Sequence, residues 1–590
     1  MKFKDVATYI SSIEKTSLRN EMTRYLSELF TKADVGEIRE LCYLLQGRIG
    51  PVYESLEFGM ADKFIIRAIS SAYTVSLETV LKEFKQRGDL GTVSELLYNG
   101  KDTKMSVLDV YKALREIALL HGTGSQEQKI TQVASLLSRV DSLSARYIVR
   151  IPLDKLRLGF SDVTMIDALS MMLVGDKTLR ERIEKSFNVY PDLGFIAMEI
   201  KKYGVEGLTH VKAKVGAPIV SALCSRLPTA DEMIKKMHTV SVDPKYDGVR
   251  VQIHYKRHGR MGKNPSVDTY SRNLEKTSGM FPELQGISNQ LNADSVILDA
   301  EAVGKDPKTG VRLSFQDTIT RKRKHGIEKA QKNIPLTFFV FDILYKDGKD
   351  LLSQDLLSRR KMLEDTIKKG NILVVSPHIV TDDPDAVRLY HDAQIADGLE
   401  GVVVKKIDSP YEPGRKGFSW VKFKEEEGKT GKLTDTIDAV VMGYYKGEGK
   451  RSGFGIGAFL VGVPTSSAPE AGLRGASRND EIVTLTKIGT GVTDQNWGMF
   501  KKLFTSNETK KKPKEYGDVH ETLIPDVWVH PAVVVEIAGD DITRSTFHSA
   551  GYAVRFPRLV RVRQDKGVDD ATTTDEIASM FSMQLSTHKE

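Results

Sequence analysis

Cysteine is scarce in this sequence: its 590 residues include two, Cys42 and Cys224. Two cysteines in separate regions exclude a four-cysteine zinc module. They also argue against a disulfide framework, because such frameworks need several paired cysteines. A reducing cytoplasm is therefore the expected environment.

Long apolar segments are also missing. The best run, 336–345, is much shorter than the roughly 20 residues that a membrane-spanning helix needs, and it contains Asp342. Residues 1–5 lack the apolar core of a signal peptide. The sequence therefore predicts a protein without a membrane segment.

The composition is that of an ordinary globular chain, with 40% hydrophobic and 28% charged residues. A length of 590 residues predicts three or four domains. The formal net charge of +7 is compatible with a polyanionic partner, although dispersed lysines commonly form a solvated surface instead.

Hydrophobic periodicity divides the chain into three parts. Residues 1–215 have apolar residues at helical spacing, which predicts an all-α domain. Residues 216–427 alternate strand and helix patterns, which predicts an α+β domain with a mixed sheet. Residues 428–590 follow a charged, glycine-containing hinge at 425–431 and contain several short strand patterns, which predict a small β-barrel.

The stretch Asp243-Pro244-Lys245-Tyr246-Asp247-Gly248-Val249-Arg250 lies between two strand patterns. A lysine at such a junction can act as a nucleophile if its pocket favours the neutral amine. Gly248 then allows close backbone approach to a ligand, and Arg250 provides a fork of donors for phosphate. The alternative is a surface β-turn with Asp-Gly at its centre.

Five further motifs follow this stretch and decide between those two interpretations. Their order along the chain makes the set far more specific than any one of its members. They are Ser-Arg-Asn at 271–273, Asp-Ala-Glu at 299–301, Phe-Val-Phe-Asp at 339–342, Glu-Gly-Val-Val-Val-Lys at 400–405 and Trp-Val-Lys-Phe-Lys at 420–424.

In this order the six motifs resemble the motif set of covalent nucleotidyltransferases, and the whole chain is similar to ATP-dependent DNA ligases of the archaeal and eukaryotic replicative type. This resemblance implies an N-terminal DNA-binding domain, a central adenylation domain and a C-terminal oligonucleotide-binding (OB) fold. The cysteine count agrees with it, because the NAD-dependent bacterial ligases generally carry a cysteine-rich zinc finger.

The resemblance also assigns roles to single residues. Lys245 would attack the α-phosphate of ATP and form a lysyl-AMP intermediate. Glu301 and Glu400 would hold Mg²⁺, Glu301 would also contact the ribose, and Phe341 would stack on adenine. The nucleotide-binding residues implied in this way are Asp243, Arg250, Arg272, Glu301, Phe341, Lys416 and Lys422.

Further cations resemble family residues that contact phosphate. Lys424 alternates with Lys422 on one strand, so both would point to the same face. The stretch 555–566 resembles the last family motif and would orient pyrophosphate as the leaving group. Its implied phosphate contacts are Arg555, Arg558, Arg561 and Lys566.

Each assignment has a structural alternative. Phe341 in an apolar strand could belong to the core, and Glu301 could face water. Lys422 and Lys424 could form a salt-bridged strand face.

Two positions depart from the family pattern. Asp243 stands where glutamate is usual, and Lys416 stands where arginine is usual. Lysine cannot make the bidentate contact of arginine, so nucleotide affinity or selectivity is expected to differ from that of relatives.

Two stretches of the helical part, 88–91 and 155–162, resemble the DNA-binding domain of the family. Glycines at helix termini let backbone amides approach phosphates, but they also serve as simple helix caps. Residues 101–107 lack the aromatic pair of the sliding-clamp segment that archaeal relatives often carry. Recruitment by a clamp through this segment is therefore not expected.

The resemblance thus implies an enzyme that seals nicked double-stranded DNA in replication, recombination and repair, using ATP and Mg²⁺. It would act as a monomer in the cytoplasm, at the nucleoid. The alternatives are an RNA ligase or capping-type nucleotidyltransferase, which the large N-terminal part disfavours, and a non-catalytic DNA-binding scaffold, which the intact Lys245, Glu301 and Lys422 disfavour.

Overall fold

The computed structural model describes residues 1–590 with the exception of residues 157, 228, 258–264, 314–316, 319, 322–330, 332, 415–416, 425–435, 447–454, 466–480, 490–493, 564 and 587–590. The chain forms two compact units. The first comprises Met1–Gln394 and Leu399–Phe423, and the second comprises Ile395–Gly398 and Lys424–Glu590.

The N-terminal part of the first unit is helical, as its periodicity predicts. Its helices bury apolar residues three and four apart, as α1 does with Val6, Ile10 and Ile13, and these faces form one continuous core. The α-helices are α1 (Phe3–Glu14), α2 (Arg19–Lys32), α3 (Ile38–Leu45), α4 (Asp62–Tyr73), α5 (Leu77–Arg87), α6 (Leu90–Leu96), α7 (Val107–Leu119), α8 (Ser125–Leu137), α9 (Ser142–Arg150), α10 (Asp162–Val174), α11 (Arg180–Val189) and α12 (Leu193–Tyr203).

The stretch 88–91 forms helix caps. Gly88 ends α5 in the left-handed region with φ +72°, and the Asp89 side chain begins α6 by accepting a hydrogen bond from the Thr92 amide. A Cβ on Gly91 would lie 2.6 Å from the Arg146 carbonyl oxygen, so this glycine permits close packing of α6 on α9. A phosphate contact by this stretch stays a prediction.

The rest of the first unit contains two sheets. One has the order β1-β11-β10-β2-β9, and the other has the order β4-β3-β5-β6-β7, with β8 added parallel to β6. The strands are β1 (Ser225–Arg226), β2 (Val240–Pro244), β3 (Val249–Lys256), β4 (Ser266–Ser271), β5 (Ser295–Gly304), β6 (Leu336–Lys346), β7 (Lys349–Asp350), β8 (Leu373–Val375), β9 (Ile379–Thr381), β10 (Gly401–Lys406) and β11 (Trp420–Lys424), and the α-helices are α13 (Ala230–Met237), α14 (Leu356–Thr366) and α15 (Pro384–Ala396).

The chain crosses from the first of these sheets to the second between β2 and β3. Residues 245–248 make that crossing, so Lys245 lies at the junction of the two sheets. Antiparallel pairing of β3 with β5 then sets Arg250 opposite Glu301. Two of the predicted motifs, 243–250 and 299–301, therefore meet at this junction.

The segment that leads from the helices into the sheets is held by side chains of β3. The Gln252 side chain accepts a hydrogen bond from the Ile219 amide at 2.7 Å and donates one to the Ile219 carbonyl at 3.1 Å. The Gly216 amide donates to Nδ1 of the buried His254, and burial lowers the pKa of that imidazole to about 3. The imidazole must be neutral here, because its Nδ1 accepts a hydrogen bond from the Gly216 amide.

The second unit is rich in strands. Within the described residues its main sheet has the order β14-β13-β12-β16-β15, and β17 pairs with β12 and β20. The strands are β12 (Ile437–Tyr445), β13 (Ala458–Pro464), β14 (Ile482–Ile488), β15 (Glu508–Thr509), β16 (Val527–Val529), β17 (Val534–Ala538), β18 (Asp541–Arg544), β19 (Tyr552–Arg555) and β20 (Arg558–Val562), and the helices are α16 (Asp494–Thr505) and α17 (Thr574–Ser586).

The predicted fold class is confirmed at the level of a helical N-terminal part, a mixed sheet part and a strand-rich C-terminal part. The boundary between 1–215 and 216–427 stays a prediction, because the residues on both sides of position 215 lie in the first unit. The predicted hinge at 425–431 lies outside the described residues. Across the described parts of the chain, every helix is too short or too polar to span a membrane.

A buried ion pair ties α14 to the strand that carries Phe341. Arg359 donates from Nε and Nη2 to the two oxygens of Asp342, at 2.8 and 3.0 Å, and both side chains are almost fully buried. Arg359 to Ala would leave the Asp342 carboxylate buried without its partner, which is expected to cost about 3–5 kcal/mol of unfolding free energy. Chemical denaturation of the purified protein measures this loss.

The matched control is Arg24 to Ala. Arg24 pairs with Glu28 along the exposed surface of α2, and its loss is expected to change the free energy of unfolding very little, because solvent screens an exposed ion pair. Equal effects of the two substitutions would contradict the importance of the buried pair.

Candidate active site

Lys245 is held where β2 ends, against the beginning of β10. Its amide donates to the Gly401 carbonyl at 2.9 Å, and its carbonyl accepts from the Glu400 amide at 3.1 Å. Its ammonium forms an ion pair with the Glu400 carboxylate. The side chains of both residues are about one-fifth exposed (23% and 21%), so the pair lies at an accessible surface rather than in the core.

Gly248 brings the turn after Lys245 against β5. A Cβ at this position would lie 2.5 Å from the Ala302 carbonyl oxygen and 2.9 Å from Cγ of Glu301. Any side chain would push the two strands apart at this point. The glycine therefore fixes the distance between the lysine turn and the Asp-Ala-Glu motif.

Glu301 projects from β5 beside Lys245 and Arg250. Burial raises its pKa from an ordinary value near 4.5 to about 8, although the charges of Lys245 and Arg250 act in the opposite direction. The described residues supply no hydrogen-bond donor to this carboxylate. A half-buried carboxylate that lacks donors suits a cation or a hydroxyl group brought by a ligand.

Arg250 is engaged by protein groups. Its Nε and Nη2 donate to the two oxygens of Asp299 at 3.0 and 2.7 Å, and its Nη1 donates to the Ala222 carbonyl at 2.7 Å. The Tyr411 hydroxyl donates to the same Asp299 carboxylate at 2.8 Å. Sequence reasoning missed Tyr411 altogether, and Asp299 was recognised only as part of a motif.

Asp243 is also paired within the protein. This carboxylate is 2% exposed. It accepts hydrogen bonds from Lys405 Nζ at 2.7 Å and from Ser241 Oγ at 2.8 Å, and Arg360 lies 3.5 Å away. No sequence signal marked Lys405 or Arg360 as its partners.

Phe341 lies half-buried beside Trp420, with ring centroids 6.0 Å apart in an edge-to-face arrangement. Lys405 Nζ lies 4.8 Å from the Phe341 centroid and 4.5 Å from that of Trp420, and the Arg250 guanidinium lies 5.4 Å from Phe341. The ring therefore rests among cations rather than only in an apolar core. A second aromatic pair, Tyr246 and Phe339, stacks with centroids 4.2 Å apart.

The remaining predicted nucleotide contacts are less closely grouped. Lys422 lies on β11 and is half-buried, and Arg272 is exposed in the turn after β4. Lys416 lies outside the described residues, and the side chain of Lys424 does too.

The four predicted phosphate contacts of the second unit lie on or near β19 and β20. Arg558 pairs with Asp540 at 2.9 Å, Arg561 with Glu536 at 2.6 Å and Lys566 with Asp438 at 2.7 Å. Arg555 lies over the exposed ring of Phe556, 5.1 Å from its centroid.

Three family descriptions match successive parts of the chain. "DNA ligase N terminus" matches residues 2–170, "ATP dependent DNA ligase domain" matches residues 221–424, and "ATP dependent DNA ligase C terminal region" matches residues 452–566. Together they cover most of the helical part, the two sheets and the strand-rich part.

Similar proteins match over the whole length. A "Probable DNA ligase" of Dictyoglomus thermophilum is 40% identical over 593 residues, which cover 99% of this chain and 98% of that protein. A "DNA ligase" of Sulfurisphaera tokodaii is 36% identical over 618 residues, which cover 100% and 99%. The solved structure titled "Pmar-Lig_Pre." shares the fold, with a TM-score of 0.51 at 15% identity, over 95% of this chain and 99% of that one.

The raised pKa of Glu301 predicts how the stability of the protein without nucleotide or metal depends on pH. The folded state holds this proton up to about pH 8, whereas the unfolded state releases it near pH 4.5, so ionisation of Glu301 removes stability as the pH rises between these values. Glu301 to Gln removes the ionisable group. At each pH the Tm of the variant is compared with that of the native protein. The Tm of the variant minus that of the native protein is expected to be about 2–6 °C larger at pH 8.5 than at pH 5.

Thermal unfolding across this pH range provides the measurement. The control is Glu78 to Gln, which changes an exposed carboxylate of α5 and should give a Tm difference that does not vary with pH. A Tm difference for Glu301 to Gln that is equally flat would show that the carboxylate is not buried as described.

Proposed function

Because this chain belongs to the family of ATP-dependent DNA ligases, we propose that it seals nicks in double-stranded DNA through a covalent adenylate on Lys245. The observation that carries this proposal is the position of Lys245. The lysine lies at the junction of two sheets, paired with Glu400 and close to the half-buried carboxylate of Glu301. An amine nucleophile and two carboxylates are the groups that transfer of AMP to a lysine requires.

In the first step the neutral amine of Lys245 attacks the α-phosphorus of ATP. A P–N bond forms, the bond between the α-phosphorus and the bridging oxygen breaks, and pyrophosphate leaves with the electron pair. The ammonium must first lose a proton and its attraction to Glu400. Before ATP binds, the ion pair therefore holds the lysine in place.

The next two steps transfer the adenylate and then displace it. A 5′-phosphate oxygen of the nick attacks the lysyl-AMP phosphorus, the P–N bond breaks, and the amine of Lys245 is regenerated. The 3′-hydroxyl then attacks the 5′-phosphorus, loses its proton, and displaces AMP as the phosphodiester bond forms. Only the first two steps need the lysine as a nucleophile or leaving group.

We assign a Mg²⁺ site to Glu301 and Glu400. No cluster of three or more metal-binding side chains is found in the described parts of the chain, but Mg²⁺ commonly takes one or two carboxylates and keeps several waters. The half-buried Glu301, to which the described residues donate no hydrogen bond, fits such a ligand. When bound, the ion neutralises charge on the triphosphate.

The nucleoside is assigned to the region of Phe341. Its ring is held by Trp420 and Lys405 at the edge of the site, which supports stacking on adenine. Arg250 is already bound to Asp299. We propose that this ion pair orients the guanidinium so that its remaining donors can contact the ribose and the α-phosphate. Asp243, Arg272, Lys416 and Lys422 complete the proposed nucleotide contacts, with Lys424 toward the phosphates.

For the second unit we propose an OB fold in which Arg555, Arg558, Arg561 and Lys566 are phosphate contacts. The support is the family match over residues 452–566 and the continuous pairing of β14, β13, β12, β17 and β20. In the first step these cations would stabilise the leaving group.

The helical part is the proposed DNA-binding region, contacting the duplex mainly through its backbone, because a sealing enzyme must act at any sequence. We further propose a monomer that acts at the bacterial or archaeal nucleoid in the cytoplasm during replication, recombination and repair. Clamp recruitment, if present, would use a segment other than 101–107.

Lys245 to Arg tests the nucleophile. Arginine keeps a positive charge that can pair with Glu400, but it stays protonated and cannot attack phosphorus. Incubation with ATP and Mg²⁺ should add the mass of one AMP to the native protein and none to the variant. Sealing of a nick from ATP should fall below detection, whereas sealing of a nick that already carries a 5′-adenylate should stay within about tenfold of native.

Lys256 to Arg is the control, because it makes the same change at an exposed position at the end of β3. It should form the adenylate and seal at the native rate. An AMP adduct on a residue other than Lys245, or ATP-dependent sealing by Lys245 to Arg, would refute the assignment.

A further inference from the structure

Two carboxylates of the second unit lie directly opposite each other on neighbouring strands. Asp438 of β12 is paired in register with Glu536 of β17, and Glu536 is in turn paired with Arg561 of β20. Like charges placed opposite each other destabilise a sheet. A nearby positive charge must therefore offset the repulsion between Asp438 and Glu536.

Three cations of the 555–566 segment provide it. Arg563 Nη1 donates to both oxygens of Asp438 at 3.1 Å and lies 3.6 Å from Glu536, so it stands between the two acids. Lys566 donates to Asp438 at 2.7 Å, and Arg561 Nε donates to Glu536 at 2.6 Å. Both acidic side chains are largely buried, at 13% and 12% exposure.

The cations differ in what they can still offer to a ligand. Arg563 uses Nη1 on Asp438 and both Nε and Nη2 on Asp565, so each of its three nitrogens already donates to a carboxylate. Arg561 is bound to the described residues through Nε alone, and its side chain is 63% exposed. Lys566 has three ammonium protons and gives one to Asp438.

We propose that Asp438 and Glu536 are positioning residues for the first step of ligation, because they hold Lys566 and Arg561 at a fixed spacing and leave some donors of both cations available for phosphate oxygens. Arg563 is the spacer that lets the two acids lie side by side. This inference rests on the proposed role of the last motif in pyrophosphate release. It adds that two acidic residues outside this motif, Asp438 and Glu536, fix the positions of the motif's cations.

The backbone at Asp438 does not depend on its carboxylate. Its amide donates to Thr572 Oγ1 at 3.0 Å, and its carbonyl accepts from the Thr572 amide at 2.8 Å. The strand is also paired on both sides. Asp438 to Asn therefore keeps the shape and one acceptor oxygen but removes the charge that holds Lys566 and Arg563.

The test separates the steps in the full-length protein. Formation of lysyl-AMP from ATP and Mg²⁺ needs the triphosphate contacts, whereas sealing of a nick that already carries a 5′-adenylate does not. Asp438 to Asn and, independently, Glu536 to Gln should slow the first reaction by about 10- to 100-fold, as expected for a misplaced contact group. Sealing of the adenylated nick should stay within about twofold of native.

Asp569 to Asn is the matched control, because it removes the same charge from an exposed position three residues after Lys566. It should leave both rates unchanged. Asp438 to Glu, which restores the charge, should recover part of the adenylation rate. Native adenylation rates in both Asp438 to Asn and Glu536 to Gln, or equal losses in the two reactions at unchanged Tm, would overturn the inference.

Lys566 to Ala and Arg561 to Ala distinguish this inference from the proposed function. If these variants form lysyl-AMP at the native rate, the proposed role of the cations is wrong, and the inference falls with it. If they are slow while both acid variants are at the native rate, the cations act as proposed and only the positioning role is refuted.

Discussion

The ion pair between Lys245 and Glu400 is the interaction on which the rest of the site depends. It joins the end of β2 to the beginning of β10, and the backbone bonds between Lys245 and its partners at 400 and 401 hold both residues at one place. A lysine side chain is long and flexible, and ordering it costs conformational entropy. The nearby carboxylate offsets that cost before the nucleotide arrives, while partial exposure keeps the amine accessible.

A common pattern extends from this pair through both units. Several cations predicted to contact the nucleotide use some of their donors on a carboxylate of the protein, as Arg250 does with Asp299 and Arg561 with Glu536. A carboxylate partner fixes the direction of a guanidinium or ammonium group in a way that water cannot. The arrangement suits an enzyme whose substrate is a chain of phosphates, because the protein must present positive charge in a fixed geometry without attracting anions at random.

The sequence predicted the elements well where periodicity was strong and predicted the partners poorly. The helical pattern of residues 1–215 is observed as the helices α1 to α12, and the short strand patterns of residues 428–590 are observed as the strands β12 to β20. In contrast, Lys405, Arg360 and Tyr411 gave no signal as partners of Asp243 and Asp299, because each lies more than 100 positions from its carboxylate. The roles assigned to the site residues, including Asp243 and Phe341, remain predictions.

The sequence by itself determined which segments become helices and strands, the order of the motifs and the family to which they point, because these depend on local pattern and on residue identity. Tertiary structure alone decided that Asp243 faces Lys405, that Arg250 is bound by Asp299, and that Asp438 lies opposite Glu536. The physical reason is strand register: which side chains meet across a sheet depends on how distant strands pair, and a shift of one residue would turn every side chain to the other face.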